Sequence, residues 1–226
     1  IKKAMRQSYE YLWLMDDDTF VCQDAAERLY DAAGILKNRF GFLASTVFFN
    51  ENELCEMNRP GVSNKWYSME KYQYMKAGLI NIQYASFVSL FLRTEVVEQI
   101  GLPLKEFFIW NDDYEYTTRI SKLYDNYLVC NSVVEHKMKL NQTTDILTDH
   151  SERIARYFYN YRNGFYVAKR DGKKAVVRYI LGSIMILGKI IFGQSGLKGR
   201  KCWIVLKGLV AGMVFRPQVE YIKRGV

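Results

Sequence analysis

Short apolar runs alternate with helical patterns along the first two thirds of the chain. Runs at 11–15, 41–49 and 127–134 predict strands, because each is brief and rich in aromatic or β-branched residues. Apolar residues recur at helical spacing over 24–37 and again over 116–124. This order of elements predicts an α/β fold.

The first predicted strand ends in three consecutive aspartates, Asp16, Asp17 and Asp18. Carboxylates at the carboxyl end of a strand lie where α/β sheets bind their ligands. Adjacent carboxylates repel each other by about 1 kcal/mol or more per pair, and a divalent cation relieves that repulsion. Their oxygens suit Mg²⁺ or Mn²⁺, which also bridge phosphates. The alternative, a solvated turn, would normally contain Gly, Pro or Asn as well, so a metal site is favoured.

A second acidic cluster follows the apolar run 107–110, which we interpret as another strand, and opens a predicted helix. It contains Asp112, Asp113 and Glu115. One aspartate at the start of a helix is an ordinary N-cap, but two aspartates and a glutamate exceed that need. Clustered carboxylates of this kind can supply a general base.

A third strand end carries Glu135 and His136, and the chain has only 2 histidines. A single histidine is more often a surface or core residue than a ligand. Together, however, the three predicted strand ends could assemble metal ligands and a base at one edge of a sheet.

These motifs, taken in series, resemble the family 2 glycosyltransferases. The order is DDD, then WNDDYEYTTR, then a histidine about two dozen residues after Asp112. The chain is more narrowly similar to the galactofuranosyltransferase and rhamnosyltransferase-like branch, in which a segment like YFYNYRNGFYVAKR follows the catalytic domain. The resemblance implies a GT-A-like mixed sheet with flanking helices. It also implies inverting transfer of a sugar from a nucleotide-diphosphate donor.

The resemblance implies a role for each motif residue. Asp113 corresponds to the catalytic base. The metal ligands, for Mn²⁺ or Mg²⁺, would be Asp16, Asp18 and His136, with a contact to the diphosphate as the alternative role of His136. The substrate-binding residues would be Asp17, Trp110, Asp112, Glu115 and Arg119, with Asp112 and Glu115 orienting the acceptor.

Members of that family carry a nucleotide-binding βαβ portion before the DDD motif. Here only ten residues precede the first predicted strand, so we expect the chain to be a fragment. Residues 1–150 would then be the C-terminal part of the catalytic domain, and residues 151–226 a helical, basic tail. Such a fragment would hold the metal and acceptor side of the site, with or without activity of its own.

The positive charge is concentrated in the tail. Residues 169–226 contain 13 Lys and Arg against Asp171 and Glu220, a net charge of +11, whereas the whole chain carries +8 and residues 1–168 therefore −3. The apolar stretch AVVRYILGSIMILGKIIF has a longest uncharged run of ten residues, fewer than the about 20 that span a bilayer. As a helix it would place Lys174, Arg178 and Lys189 beside a wide apolar face.

This combination favours an anionic membrane surface as a partner. A helix that simply packs on the catalytic domain is the second interpretation, and nucleic acid is the least favoured partner. Four scattered cysteines without a CxxC spacing fit a reducing compartment. We therefore expect a cytoplasmic protein that is peripheral on the inner face of the cell membrane.

The expected function is transfer of a galactofuranose- or rhamnose-type sugar to a glycan or lipid-linked acceptor during polysaccharide and cell-wall biosynthesis. The alternative from another class is a non-catalytic glycan- or membrane-binding module that retains the same fold.

Overall fold

The chain folds into a mixed α/β structure, in a computed structural model that describes residues 1–149 and 152–222. The described residues form two compact units. The first contains residues 1–103, 113–143 and 219–222, and the second contains residues 104–112, 144–149 and 152–218. The predicted boundary between residues 150 and 151 lies outside the described residues.

One sheet of eight strands, counted over the described residues, lies in the first unit. Its strands are β1 (Tyr11–Leu14), β2 (Thr19–Val21), β3 (Phe42–Asn50), β4 (Glu53–Leu54), β5 (Gly61–Val62), β6 (Leu79–Tyr84), β7 (Leu90–Arg93) and β8 (Asn126–His136). The order is β1-β7-β3-β8-β6-β5, with β2 added to β8 and β4 to β3. β3 and β8 run parallel, and the other described pairs are antiparallel. The sheet is therefore mixed.

The described α-helices are α1 (Lys2–Met5), α2 (Ala25–Ile35), α3 (Met69–Lys76), α4 (Thr94–Ile100), α5 (Asp112–Ile120), α6 (Tyr157–Asp171), α7 (Lys173–Phe192) and α8 (Lys198–Val214). α1 to α4 and nearly all of α5 belong to the first unit, and α6 to α8 belong to the second. The predicted α/β class is confirmed.

Side chains of successive strand residues point to opposite sides of the sheet, and both sides are covered. Phe42 joins a buried cluster with residues of α4 and α5. The next residue, Leu43, joins another cluster with Leu29 and Leu36 near α2. A strand buried on both sides has no polar face, and this explains why the run at 41–49 is mostly apolar, with Ser45 and Thr46 as its polar residues.

The apolar run 107–110 is not a strand, and this prediction is wrong. A short 3₁₀ turn, Lys105–Phe107, precedes residues whose φ angles are positive: 65° at Phe108, 63° at Trp110 and 61° at Asn111. Non-glycine residues rarely adopt this left-handed region, so hydrophobicity alone could not reveal the local conformation.

The second unit is helical around its own apolar core. Tyr157 and Tyr161 of α6, Ile190 of α7 and Ile204 of α8 are buried in one cluster. Within the described part of the chain, α7 is the one helix that is long and apolar enough to cross a membrane, judged by length and composition alone. The uncharged run of ten residues therefore underestimates the length of this apolar helix, which continues through Lys189 to Phe192.

Candidate metal centre

A tight turn and a short strand bring the DDD motif to the end of β8. After β1 the chain reverses, and the Thr19 amide donates to the Asp16 carbonyl over 3.2 Å. β2 then pairs antiparallel with β8, so that Thr19 lies opposite His136. The Lys137 amide donates to the Asp18 carbonyl over 3.0 Å and closes this corner.

Three predicted ligands meet at this corner. Asp16, Asp18 and His136 each offer one ligand atom, and these three atoms lie within 4.8 Å of one another. The His136 Nε2 atom is 3.1 Å from the Asp18 Oδ1 atom; the Asp18 side chain is 50% exposed, whereas His136 is buried. The middle aspartate, Asp17, is not a member of this group. The cluster therefore has a buried imidazole on one side and open access on the other.

A buried amide orients the imidazole. The His136 Nδ1 atom is 2.8 Å from the Asn58 Oδ1 atom, and the Asn58 Nδ2 atom donates to the Ser86 hydroxyl over 3.0 Å. The Cys55 thiol also donates to Asn58 Oδ1 over 2.9 Å, and burial raises the pKa of this thiol, which keeps it protonated. Asn58 Oδ1 is an acceptor, so a neutral His136 with its proton on Nδ1 donates to Asn58 and presents its Nε2 lone pair to a cation.

Sequence reasoning missed Asn58 and Cys55. Both lie in the polar stretch 50–66, which contains many residues typical of loops. In the structure this stretch forms two short strands, β4 and β5, with a 3₁₀ turn between them that buries both side chains. Their partner, His136, is distant in sequence, so no local pattern could indicate the contact.

A chain of hydroxyl groups supports the strands beneath the corner. The Trp13 indole donates to Ser89 over 2.9 Å, and Ser89 donates to Ser45 over 2.7 Å. The hydroxyls of Ser45 and Ser132 are 2.8 Å apart, and Ser132 donates to the Ala25 carbonyl over 2.9 Å. These bonds join β1, β3, β8 and α2 in the buried interior, where satisfied polar networks rigidify a fold.

The donor set at the corner could hold a divalent cation. Carboxylates suit hard cations such as Mg²⁺ and Mn²⁺, and an imidazole suits transition metals. The hydrogen bond from the other imidazole nitrogen to Asn58 is the kind of outer contact that orients metal-binding histidines. Asp16, Asp18 and His136 are therefore residues that could hold such an ion.

The second acidic cluster is arranged differently. Asp113 lies in the first turn of α5 and is partly exposed, and its Oδ1 atom accepts from the Tyr114 amide over 2.6 Å. The Asp113 carbonyl accepts from the Thr117 hydroxyl over 2.7 Å. Asp113 is not part of the metal-ligand cluster.

Glu115 and Arg119 form a bidentate ion pair in which Glu115 is buried and Arg119 is partly exposed. Arg119 Nε and Nη2 each donate to one Glu115 oxygen over 3.0 Å. Arg119 also donates to the carbonyls of Ile100 and Leu102, over 2.6 and 3.0 Å. The Glu115 side chain is buried. These side chains attach α5 to the end of α4, and their role as substrate contacts stays a prediction.

Trp110 and Asp112 belong to the second unit, where the left-handed stretch is held by α6. The Asn163 side-chain amide donates to three carbonyls, those of Phe107, Ile109 and Trp110, over 2.9 to 3.1 Å. Asn111 donates to the Asn160 side chain over 3.0 Å. These contacts account for Asn160 and Asn163 in the motif YFYNYRNGFYVAKR. The two side chains supply hydrogen bonds to an irregular segment that lacks the regular backbone hydrogen bonds of a helix or strand.

No protein-family model matches this chain, and no curated protein sequence matches it. The likeness to family 2 glycosyltransferases therefore rests on the motifs themselves.

Proposed function

We propose that this protein is an inverting glycosyltransferase of GT-A-like fold that uses a nucleotide-diphosphate sugar donor. The observation that carries the proposal is the convergence of Asp16, Asp18 and His136 at one corner of the sheet. An open cation site made of carboxylates suits a diphosphate, because Mg²⁺ and Mn²⁺ bridge phosphate oxygens. The mixed sheet with covered faces is compatible with this fold class.

In the proposed reaction, Asp16, Asp18 and His136 would hold Mn²⁺ or Mg²⁺, which would supply Lewis-acid chemistry that offsets charge on the leaving nucleotide diphosphate. Asp113 accepts the proton of the acceptor hydroxyl as that oxygen attacks the anomeric carbon from the face opposite the leaving group. Asp17 contacts the donor, and Trp110 and Asp112 bind substrate. Glu115 and Arg119 act as positioning residues, since their ion pair anchors the helix that contains Asp113.

The proposed donor sugar is of the galactofuranose or rhamnose type, and the acceptor is a glycan or a lipid-linked precursor of a cell-surface polysaccharide. The proposed location is the cytoplasmic face of the cell membrane. The second candidate, a non-catalytic glycan- or membrane-binding module, would keep the fold and bind no nucleotide sugar.

Metal-dependent donor binding is the first test. Calorimetry on the full-length protein with Mn²⁺ should detect binding of a nucleotide-diphosphate sugar, and a screen of donor hydrolysis should identify the sugar. Asp18→Asn should abolish the Mn²⁺-dependent binding while the fold survives, and Asp31→Asn, on the exposed side of α2, is the matched control. Unchanged Mn²⁺ affinity in Asp18→Asn would refute the metal assignment.

The base is tested separately. Asp113→Asn should keep donor and metal affinity but lower the transfer rate by about 10² to 10⁴, because a positioned base contributes that much. Asp112→Asn should mainly raise the acceptor KM. Near-normal turnover by Asp113→Asn would assign the base elsewhere, with Asp112 the first candidate.

A further inference from the structure

Helix α7 turns a row of large apolar side chains towards solvent. Val177, Leu181, Ile184 and Met185 are all exposed, and Leu181 is 57% exposed. Their spacing of four, three and one residues puts them on one side of the helix, opposite the buried Ser183 and the cluster residue Ile190. This row lies beyond the apolar core that α7 shares with its neighbours.

Helix α8 of the same unit repeats the pattern. Trp203, Leu206, Val210 and Met213 recur at spacings of three, four and three residues, and all four are exposed. The opposite side of α8 carries the buried Ile204, Val205 and Gly208. Single exposed apolar residues are ordinary, but two neighbouring helices with continuous exposed rows form the kind of patch that marks a binding surface.

Basic residues border both rows, without acidic ones. Residues 173–214 contain eight Lys and Arg and no Asp or Glu. On α7, Lys174, Arg178 and Lys189 are exposed beside the apolar row; on α8, Arg200 and Lys207 are exposed in the same way. An apolar row with a basic margin is typical of helices that lie in the interface of an anionic membrane.

The contacts of α7 favour a position along the membrane rather than across it. Its Tyr179 hydroxyl donates to the carbonyls of Asn160 and Tyr161 in α6, over 3.4 and 3.3 Å. If α7 spanned a membrane, it would carry its neighbour α6 into the hydrocarbon. In α6, the buried Asn163 side chain donates to three carbonyls and the Arg162 side chain donates to two. Polar groups of this kind are costly in hydrocarbon.

We propose that the outward faces of α7 and α8 form a docking surface for a phospholipid leaflet rich in anionic headgroups. The apolar rows enter the boundary between headgroups and acyl chains, and the basic margins contact lipid phosphates. A second copy of this chain fits the surface less well, because it would bring two uncompensated basic margins together. This surface belongs to α7 and α8, so the proposal does not depend on glycosyl transfer.

Co-sedimentation of the full chain with vesicles tests the surface. Wild type should bind vesicles of phosphatidylcholine with 30% phosphatidylglycerol, should bind pure phosphatidylcholine at least about tenfold more weakly, and should be released by high salt. The double variant Leu181→Gln/Leu206→Gln should bind anionic vesicles at least about tenfold more weakly, since it removes two apolar anchors. Its fold should survive because both side chains are exposed, which circular dichroism verifies.

Leu123→Gln is the matched control, because Leu123 is an equally exposed leucine, at 62%, in the first unit. It should bind vesicles like wild type. Equal vesicle binding by wild type and the double variant would overturn the proposal. The proposal would also be overturned if the bound protein resisted both high salt and alkaline carbonate and could be extracted only with detergent, which is the behaviour of a spanning helix. Absence of vesicle binding, with a dimer in sedimentation equilibrium that the double variant loses, would instead assign the surface to a second copy.

Discussion

His136 shows how one residue acquires a chemical role from its surroundings. Nothing within ten residues of it in sequence explains its orientation, yet Asn58 contacts its Nδ1 atom and Asp18 its Nε2 atom. The amide and the carboxylate therefore act on opposite edges of one ring. With the proton on Nδ1, the Nε2 lone pair is available to a cation held by the two aspartates.

Asn58→Ala should weaken Mn²⁺ binding by about 10- to 100-fold, because the imidazole would lose the contact that sets its tautomer. Calorimetry measures the affinity, and long-range ¹H–¹⁵N spectra of the histidine ring report the tautomer. Asn52→Ala, an exposed asparagine in the same stretch, is the control and should leave both unchanged. If Asn58→Ala kept the tautomer and the affinity of wild type, the orienting role would be wrong.

At the scale of elements, the local patterns predicted α2 and α5 and the strands β1, β3 and β8, with ends displaced by a few residues. They failed at 107–110, where Asn163 holds a left-handed backbone, and they did not indicate β5 within 50–66, which pairs with β6. Both failures have one cause. The conformation there depends on hydrogen bonds from other elements, which a local apolar pattern does not contain.

The buried ion pair of α5 should matter more to stability than an exposed pair with the same spacing. Glu115→Gln should lower the free energy of unfolding by roughly 3 kcal/mol, because it leaves the Arg119 guanidinium without its charged partner in the interior. Arg28→Gln, which breaks the exposed pair with Asp24 in α2, should cost less than about 1 kcal/mol. Urea unfolding measures both values, and similar losses in the two variants would argue against a structural role for the α5 pair.

At the scale of the whole molecule, the negative and positive charges separate along the chain. Residues 1–168 carry −3 and include the acidic corner, whereas residues 169–226 carry +11. The basic segment has exposed apolar rows on α7 and α8, and the second unit has its own buried core. The molecule thus combines a candidate metal site in one unit with a candidate lipid surface in the other.

The core of the second unit should make the protein sensitive to alkaline pH. Burial raises the pKa of Tyr161 to about 12 from an ordinary value of 10.0, because the phenolate is poorly solvated there. The unfolded chain ionises first as pH rises, so this contribution is intact below pH 10.0 and is lost as pH approaches about 12. A shift of this size corresponds to roughly 3 kcal/mol.

Tyr161→Phe should therefore gain roughly 3 kcal/mol of unfolding free energy relative to wild type between pH 9 and about 12. Denaturant unfolding at several pH values measures the difference. Val205→Ala, a truncation in the same cluster that removes no titrating group, should differ from wild type by a constant amount. A Tyr161→Phe difference that is also constant with pH would contradict the prediction.

Periodicity, charge and motif order were sufficient to predict the α/β class, the two acidic clusters, the convergence of Asp16, Asp18 and His136 and the basic apolar tail. These properties arise from neighbouring residues or from total composition, so they can be read along the chain. Three features depended on tertiary contacts. Asn58 orients His136, Arg119 attaches α5 to the end of α4, and Asn163 stabilises a left-handed backbone. Each of these contacts joins residues that are distant in sequence. Such contacts are set by the packing of the folded chain, which no local pattern encodes.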